Sequence, residues 1–160
     1  MVFELEAEVA ANADVVGGFG VEVSNLLQVI EPTSLTPVPL APAVVLGIMS
    51  HRGRIVTVVD PSPILMSDAR PRLSAEARVV LLRHGQRTTG NVGLLVTRVR
   101  EIVPAADLKQ IDVPPGSGMG WVARRGRRLI NIIPVEPFLA GLVAEFGSGR
   151  AFEPHQGVLA

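Results

Sequence analysis

The chain contains no cysteine. A disulfide framework, a thiolate metal site and a cysteine nucleophile are therefore all excluded. Charge is scarce, at 19% of 160 residues, and it balances to a formal net charge of +0. No overall attraction to nucleic acid follows from such a chain. Lysine is nearly missing: Lys109 stands alone against 14 arginines, a skew that carries no functional meaning by itself. No apolar run approaches the ~20 residues of a membrane span. The opening residues, Met1-Val-Phe-Glu-Leu-Glu-Ala-Glu8, place acids where a secretory leader needs bases. A soluble cytoplasmic protein with no membrane insertion is expected. Helical periodicity is thin as well. What is abundant is apolar residues, 48% of the chain, with 16 glycines and 13 prolines to interrupt them.

The chain also repeats itself. Gly47-Ile-Met-Ser-His-Arg-Gly-Arg54 returns as Gly120-Trp-Val-Ala-Arg-Arg-Gly-Arg127 at an offset of 73. After an inserted Arg128 the offset becomes 74, and Ile55-Val-Thr-Val-Val-Asp-Pro-Ser-Pro-Ile-Leu65 meets Leu129-Ile-Asn-Ile-Ile-Pro-Val-Glu-Pro-Phe-Leu139. Upstream, Val21, Val23, Ser24, Leu26, Val29 and Ile30 fall on Leu94, Val96, Thr97, Val99, Ile102 and Val103. The repeat unit therefore covers residues 20–65 and 93–139. A duplicated unit sets the architecture before any finer reading.

Each copy reads as a strand, a proline-bearing loop and a hairpin with Arg-Gly at its tip, where glycine supplies positive φ. Val21, Val23 and Asn25 are expected on one side of the first strand, with Glu22, Ser24 and Leu26 on the other. Val79 to Leu82 reads as a buried strand, and His84-Gly-Gln-Arg87 as the turn after it. Short turns are expected at Ser74-Ala-Glu-Ala77 and Ala105-Ala-Asp-Leu108. A short C-terminal helix is expected over 135–146, after Pro134. So many breakers keep strands short, and short strands shield their edges by closing into barrels. The expected fold is mainly β: two small five-stranded, SH3-like barrels packed on each other. They form a single domain over 1–146, with a loose tail at 147–160. A chain of this length buries roughly 70% of its unfolded surface. The high apolar content suits strands buried on both faces, or an apolar surface kept for partners.

Catalytic groups do not converge. His51 and His84 sit beside turns and His155 sits in the tail, with no metal-ligand spacing among them. Ser24, Ser50 and Ser117 lack a nucleophile-elbow context. Gly116-Ser-Gly-Met-Gly120 resembles a phosphate loop only superficially, because no Lys-Ser/Thr and no helix follow it. Asp60 has no paired acid, and its repeat counterpart is Pro134. No metal, cofactor or enzymatic activity is expected. The cluster Arg124-Arg-Gly-Arg-Arg128 is a solvated hairpin tip or a surface for acidic protein; nothing aromatic interleaves it except Trp121.

The run Leu35-Thr-Pro-Val-Pro39, Ala41-Pro-Ala-Val-Val-Leu-Gly47-Ile48, Arg52-Gly53 and Ile55 to Asp60 resembles the CheW coupling domain of bacterial chemotaxis. Ala77-Arg-Val-Val-Leu-Leu, Gly85 and Gly93-Leu-Leu-Val-Thr-Arg-Val-Arg-Glu-Ile-Val103 are similar to that family's second half. The resemblance implies two packed β-barrels without catalytic activity. It implies an adaptor between the cytoplasmic tip of a methyl-accepting chemoreceptor and the regulatory domain of a histidine kinase. Residue by residue, it places Arg52 and Gly53 near the signalling interface. It places Val23 and Leu26 on a strand used in partner contacts, and Gly93 on a strand lining a receptor-facing groove. A receptor tip is a helical hairpin, and an apolar groove can take a helix.

Departures from the family pattern gather in the first copy. Gln28 stands where many members carry glutamate beside the kinase contact. His51 replaces an apolar residue, Thr57 a proline, and Pro61 a leucine. Residues 6–19 exceed the family's tight hairpin. Three readings follow: an adaptor for both partners, a divergent paralogue that binds the receptor without kinase coupling, and a small β-barrel enzyme or ligand-binding domain.

Overall fold

The computed structural model describes residues 2–6, 17–61, 73–83, 91–111 and 121–148. The turn expected at His84 to Arg87, the Gly116 to Gly120 loop and the tail beyond Ser148 lie outside these residues. Among the described residues eleven strands and one α-helix follow in chain order. The first five strands are β1 Val2–Glu6, β2 Gly17–Glu22, β3 Leu26–Ile30, β4 Val45–His51 and β5 Arg54–Val59. The next six are β6 Arg78–Leu82, β7 Asn91–Val96, β8 Arg98–Val103, β9 Lys109–Ile111, β10 Trp121–Arg125 and β11 Arg128–Ile132. Helix α1, Val135–Ser148, closes the described chain and runs two residues beyond the span expected from sequence.

The strand expected through residues 21–26 is broken. β2 stops at Glu22, a 3-10 turn takes Val23–Asn25, and β3 starts at Leu26 in a different sheet. The second copy breaks in the same place, at Thr97 between β7 and β8. Each break is a corner where the chain crosses from one barrel to the other. The six-stranded sheet runs β8-β1-β2-β11-β10-β9 and the five-stranded sheet β3-β6-β7-β5-β4. Neither is built from one copy of the repeat, so the two segments 20–65 and 93–139 interleave rather than each forming a barrel. The hairpin β4–β5 of the first copy pairs in parallel with β7 of the second, with Val58 beside Gly93. The hairpin β10–β11 of the second pairs in parallel with β2 of the first, with Ile132 beside Gly20. These registers are equivalent under the repeat. Equivalence extends to β1 and β6: Phe3 lies opposite Val21 and Ile102 as Val80 lies opposite Leu94 and Val29.

Both sheets curl. In the six-stranded one, residues 104–108 alone connect β8 to β9, the two ends of the strand order, so the sheet must roll to bring them together. In the five-stranded one, residues 31–35 lead from β3 to Thr36, whose N–H donates to Ile48 O of β4 while Ile48 N–H donates to Thr36 O, both at 2.8 Å. Closure leaves few unpaired strand edges.

Side-chain alternation then fills three apolar spaces. On β6, Val79 and Leu81 point into the five-stranded barrel with Ile30, Met49, Val56, Val58 and Leu95. Val80 and Leu82 point the other way, into a shared core between the barrels. Ala123, Ile130 and Ile132 fill the six-stranded barrel. The shared core gathers Phe19 and Val21 from β2, Leu94 and Val96 from β7, and Val135, Phe138, Leu139 and Leu142 from α1. The helical residues recur at i, i+3, i+4 and i+7, the stripe of a helix with one buried face. Pro134 starts the helix and its carbonyl accepts from Phe138 N–H at 3.0 Å. Strands buried on both faces explain why so much of the chain is apolar and so little charged.

Leu139 is 3% exposed at this seam. Leu139→Ala is expected to lower the unfolding free energy by about 2–5 kcal/mol. Urea denaturation followed by tryptophan fluorescence and circular dichroism measures this; a loss below 1 kcal/mol would mean that the helix does not close the seam.

Candidate partner-binding surface

The crossover corner presents the first candidate residues. Val23, in the 3-10 turn, and Leu26, at the start of β3, are both half-buried. Leu26 packs against the shared core. The β3–β6 register slips between Leu26 and Gln28. The irregularity turns Leu27 outward, half exposed, beside the half-buried Gln28. Sequence alternation gave no sign of Leu27, because the bulge that exposes it arises only in pairing with β6. The corner is braced by Glu22, whose carboxylate accepts long bonds from Ser24 Oγ and from Trp121 Nε1, each at 3.4 Å.

The hairpin tips carry the second pair. The β4–β5 hairpin turns through Arg52 and Gly53, both at positive φ, 50° and 74°. Two positive values mark a type I′ turn, whose twist suits two right-twisted strands. Glycine was expected to supply the positive φ; the arginine shares it. Arg52, Gly53, Arg54 and Ile55 are all exposed, Ile55 by 58%. Ile55 reads as an ordinary strand residue in the sequence and is the apolar neighbour of this tip.

The second tip differs, and the inserted Arg128 is the reason. Arg125 pairs with Arg128 across the hairpin, so the turn moves to Gly126 and Arg127. Only Gly126 has positive φ, 61°, as a type II′ turn requires. Arg125, the sequence counterpart of Arg52, is thereby drawn into β10. There it pairs with Glu101 Oε1 at 2.6 Å. One insertion makes two similar Arg-Gly motifs unlike: Arg52 is displayed at a tip, and Arg125 is held against its own barrel. The second hairpin is basic elsewhere, with exposed Arg124 directly opposite exposed Lys109.

Gly93 stands on the strand that the resemblance makes groove-lining. It is buried in β7, and a Cβ there would run into Val79 Cγ1 and come within 3.2 Å of Leu81 Cδ2 and 3.4 Å of Val56 Cγ1. The absent side chain admits the neighbouring core residues of the five-stranded barrel, so Gly93 shapes the fold from inside. Gly93→Ala is expected to cost about 1–3 kcal/mol through overpacking against the stiff, branched Val79. A thermal melt checks this, and an unchanged midpoint would contradict the packing seen here.

Polar chemistry is sparse. Among the described residues no group of three or more His, Asp or Glu is arranged to hold a metal ion. No helix among them is long and apolar enough to cross a membrane. His51 ends β4, half-buried; His84 and His155 lie outside the described residues. Asp60, 3% exposed, stands at the end of β5, where its N–H donates to Val44 O at 2.8 Å and ties β5 to the turn before β4.

Known proteins share this arrangement. The scaffolding protein TtCheW from Thermoanaerobacter tengcongensis superposes with a TM-score of 0.65 at 20% identity, covering 84% of this chain and 89% of that one. Protein FrzA of Myxococcus xanthus is 32% identical over 99 residues, which are 62% of this chain and 58% of FrzA, so the match spans little more than half of that protein. Chemotaxis protein CheW of Helicobacter pylori is 22% identical over 129 residues, 76% of this chain and 74% of that protein. The family model described as CheW-like domain matches residues 1–140. With two interleaved β-barrels, the Arg52-Gly53 tip and a match over nearly its whole length, the chain belongs to the CheW-like domain family.

Proposed function

We propose that the chain is a non-catalytic cytoplasmic adaptor that couples the tip of a methyl-accepting chemoreceptor to the regulatory domain of a histidine kinase in chemotaxis-type signalling. The observation that carries this reading is the inequivalence of two barrels with one ancestry. A bridge between different partners needs two different surfaces held at a constant spacing, and the five-stranded sheet holds the β4–β5 tip and the corner before β3 in one frame. Arg52, Gly53 and Ile55 at one tip, and Val23, Leu26 and Gln28 around the crossover corner, are the proposed contacts. An adaptor of this kind acts by affinity: a receptor shift reaches the kinase only as far as the assembly binds its two states unequally.

A second reading has its own support. Gln28, His51, Thr57 and Pro61 depart from the family pattern, and all lie in or beside the five-stranded barrel. They favour a divergent paralogue that keeps the receptor and has lost the kinase. A pull-down with a purified receptor tip and, separately, with the kinase regulatory domain divides the two. Retention of both partners supports the adaptor; retention of the receptor alone rejects it in favour of the paralogue.

Arg52 tests the surface itself. Its side chain is exposed and its backbone already occupies a conformation that costs a Cβ-bearing residue. Arg52→Ala is therefore expected to shift the melting midpoint by no more than about 2 °C, as for a surface change. Partner affinity is expected to fall at least about tenfold, the loss of one well-placed contact. A collapse of the midpoint would instead make Arg52 a structural residue.

A further inference from the structure

β9, β10 and β11 lay two rows of side chains across one face of the six-stranded sheet. Lys109, Arg124 and Leu129 stand opposite one another in the first row, and Ile111, Val122 and Asn131 in the second. Residues paired across strands share a face, as do residues two apart along one strand. Ala123, Ile130 and Ile132 fill the barrel, so these rows lie on its outside. In the second row Val122 is buried and its neighbours half-buried. The first row is the displayed one: Lys109 and Arg124 are exposed, and Leu129 beside them is half-buried.

One cation directly opposite another is unfavourable in a strand pair. The fold supplies acids to neighbouring arginines: Glu101 pairs with Arg125 at 2.6 Å, and Glu76 with Arg98 at 2.5 Å. Among the described residues no acid pairs with Lys109 or Arg124, nor with Arg127, exposed at the turn of the same hairpin. Asp107 lies two residues before Lys109 and forms an ion pair with neither cation. The second copy therefore keeps a repulsion that the fold leaves unbalanced. Carboxylates from outside the chain are the complement of this face.

Spacing narrows the source of those carboxylates. Side chains directly opposite in an antiparallel pair have Cβ atoms about 5 Å apart. Acids at i and i+4 of an α-helix are about 5–6 Å apart at Cβ. A helix with two acids one turn apart thus meets Lys109 and Arg124 together, and an apolar residue beside them meets Leu129. Nucleic acid is a poorer match, because strong binding to it draws on roughly 6–10 phosphate contacts. This face offers Lys109, Arg124 and Arg127 in a chain of net charge +0. An anionic bilayer attracts clusters of about 4–8 basic residues. A second copy of the chain is a poorer match too. Its α1, the one α-helix among the described residues, carries Glu136 and Glu145, far from one turn apart.

We propose that Lys109 and Arg124 form a docking site for an acidic α-helix of a protein partner, one whose carboxylates stand at i and i+4. The site is separate from the Arg52-Gly53 tip and stands whether or not the chain bridges a receptor and a kinase. Titrations of the full chain followed by amide NMR test it. An alanine-based helical peptide with glutamates at i and i+4 is expected to shift the signals of residues 109 and 124. A peptide with the same glutamates at i and i+2, on different faces, is expected to bind about tenfold more weakly. The double variant Lys109→Gln, Arg124→Gln is expected to bind the first peptide at least about tenfold more weakly. Its melting midpoint is expected to stay level or rise by about 1–3 °C, because a like-charge pair is gone. A lowered midpoint makes the pair structural and overturns the proposal. Equal binding of the two peptides leaves only bulk charge, and rejects the helix. Failure of the first peptide to bind, or a loss in the variant confined to single-stranded RNA or phosphatidylserine vesicles, rejects the site.

Discussion

Each hairpin in this molecule is completed by a strand from the other half of the chain. The parallel pairs β5–β7 and β11–β2 tie the two copies of the repeat together. A parallel neighbour needs a long connection: residues 60–90, which include β6, separate β5 from β7, and residues 23–127 separate β2 from β11. Pulling the halves apart would strip a ladder from both sheets and open the shared core of Phe19, Val21, Leu94 and Val96. The spacing between surfaces on the two barrels is therefore as firm as the fold. For a protein whose proposed work is to hold two others at a set distance, this is the mechanical requirement.

Within that near-symmetric frame, differences of one residue decide what is displayed. Arg128 lengthens the second hairpin, moves its turn and converts the counterpart of Arg52 from an exposed tip into a strand residue paired with Glu101. Type I′ and type II′ turns both satisfy the twist of the strands, so the change leaves folding intact. The same economy operates at Leu40 in the Val38–Ala41 turn, where a residue poorly suited to its φ of 59° is held in place by the bonds of Thr36 and the burial of Pro42. The strained non-glycine positions thus lie at the surface of the first copy's hairpin and the loop before it, away from the strands that both copies need alike.

Much of the fold was legible because it rests on periodicity and on punctuation. The run Val79 to Leu82 reads as a buried strand, and Arg-Gly marks hairpins. The equivalence of β1 and β6 is obscure in the sequence because β1 alternates with glutamate while β6 is apolar after Arg78, and because unequal loops alter the offset. The corner at Val23–Asn25 was hidden too: Val21-Glu22-Val23-Ser24 keeps a strand's alternation into it, and the flanking strands both meet buried surfaces. Gly93 is ambiguous for a similar reason. A glycine in a strand signals a close approach, but not whether the approaching group is a partner or the protein's own Val79.

Residue order alone was enough to establish a duplicated, mainly β chain with no catalytic constellation and a kinship to chemotaxis coupling domains, because repeats, breakers and missing residue types are local properties. Which copy each strand would join, which Arg-Gly would face outward, and that Leu27, Leu40 and Ile55 would stand exposed came from the folded molecule. These depend on register, on turn geometry and on which neighbours occupy the space above a side chain. Such quantities link residues far apart in the chain, and no window along it contains them.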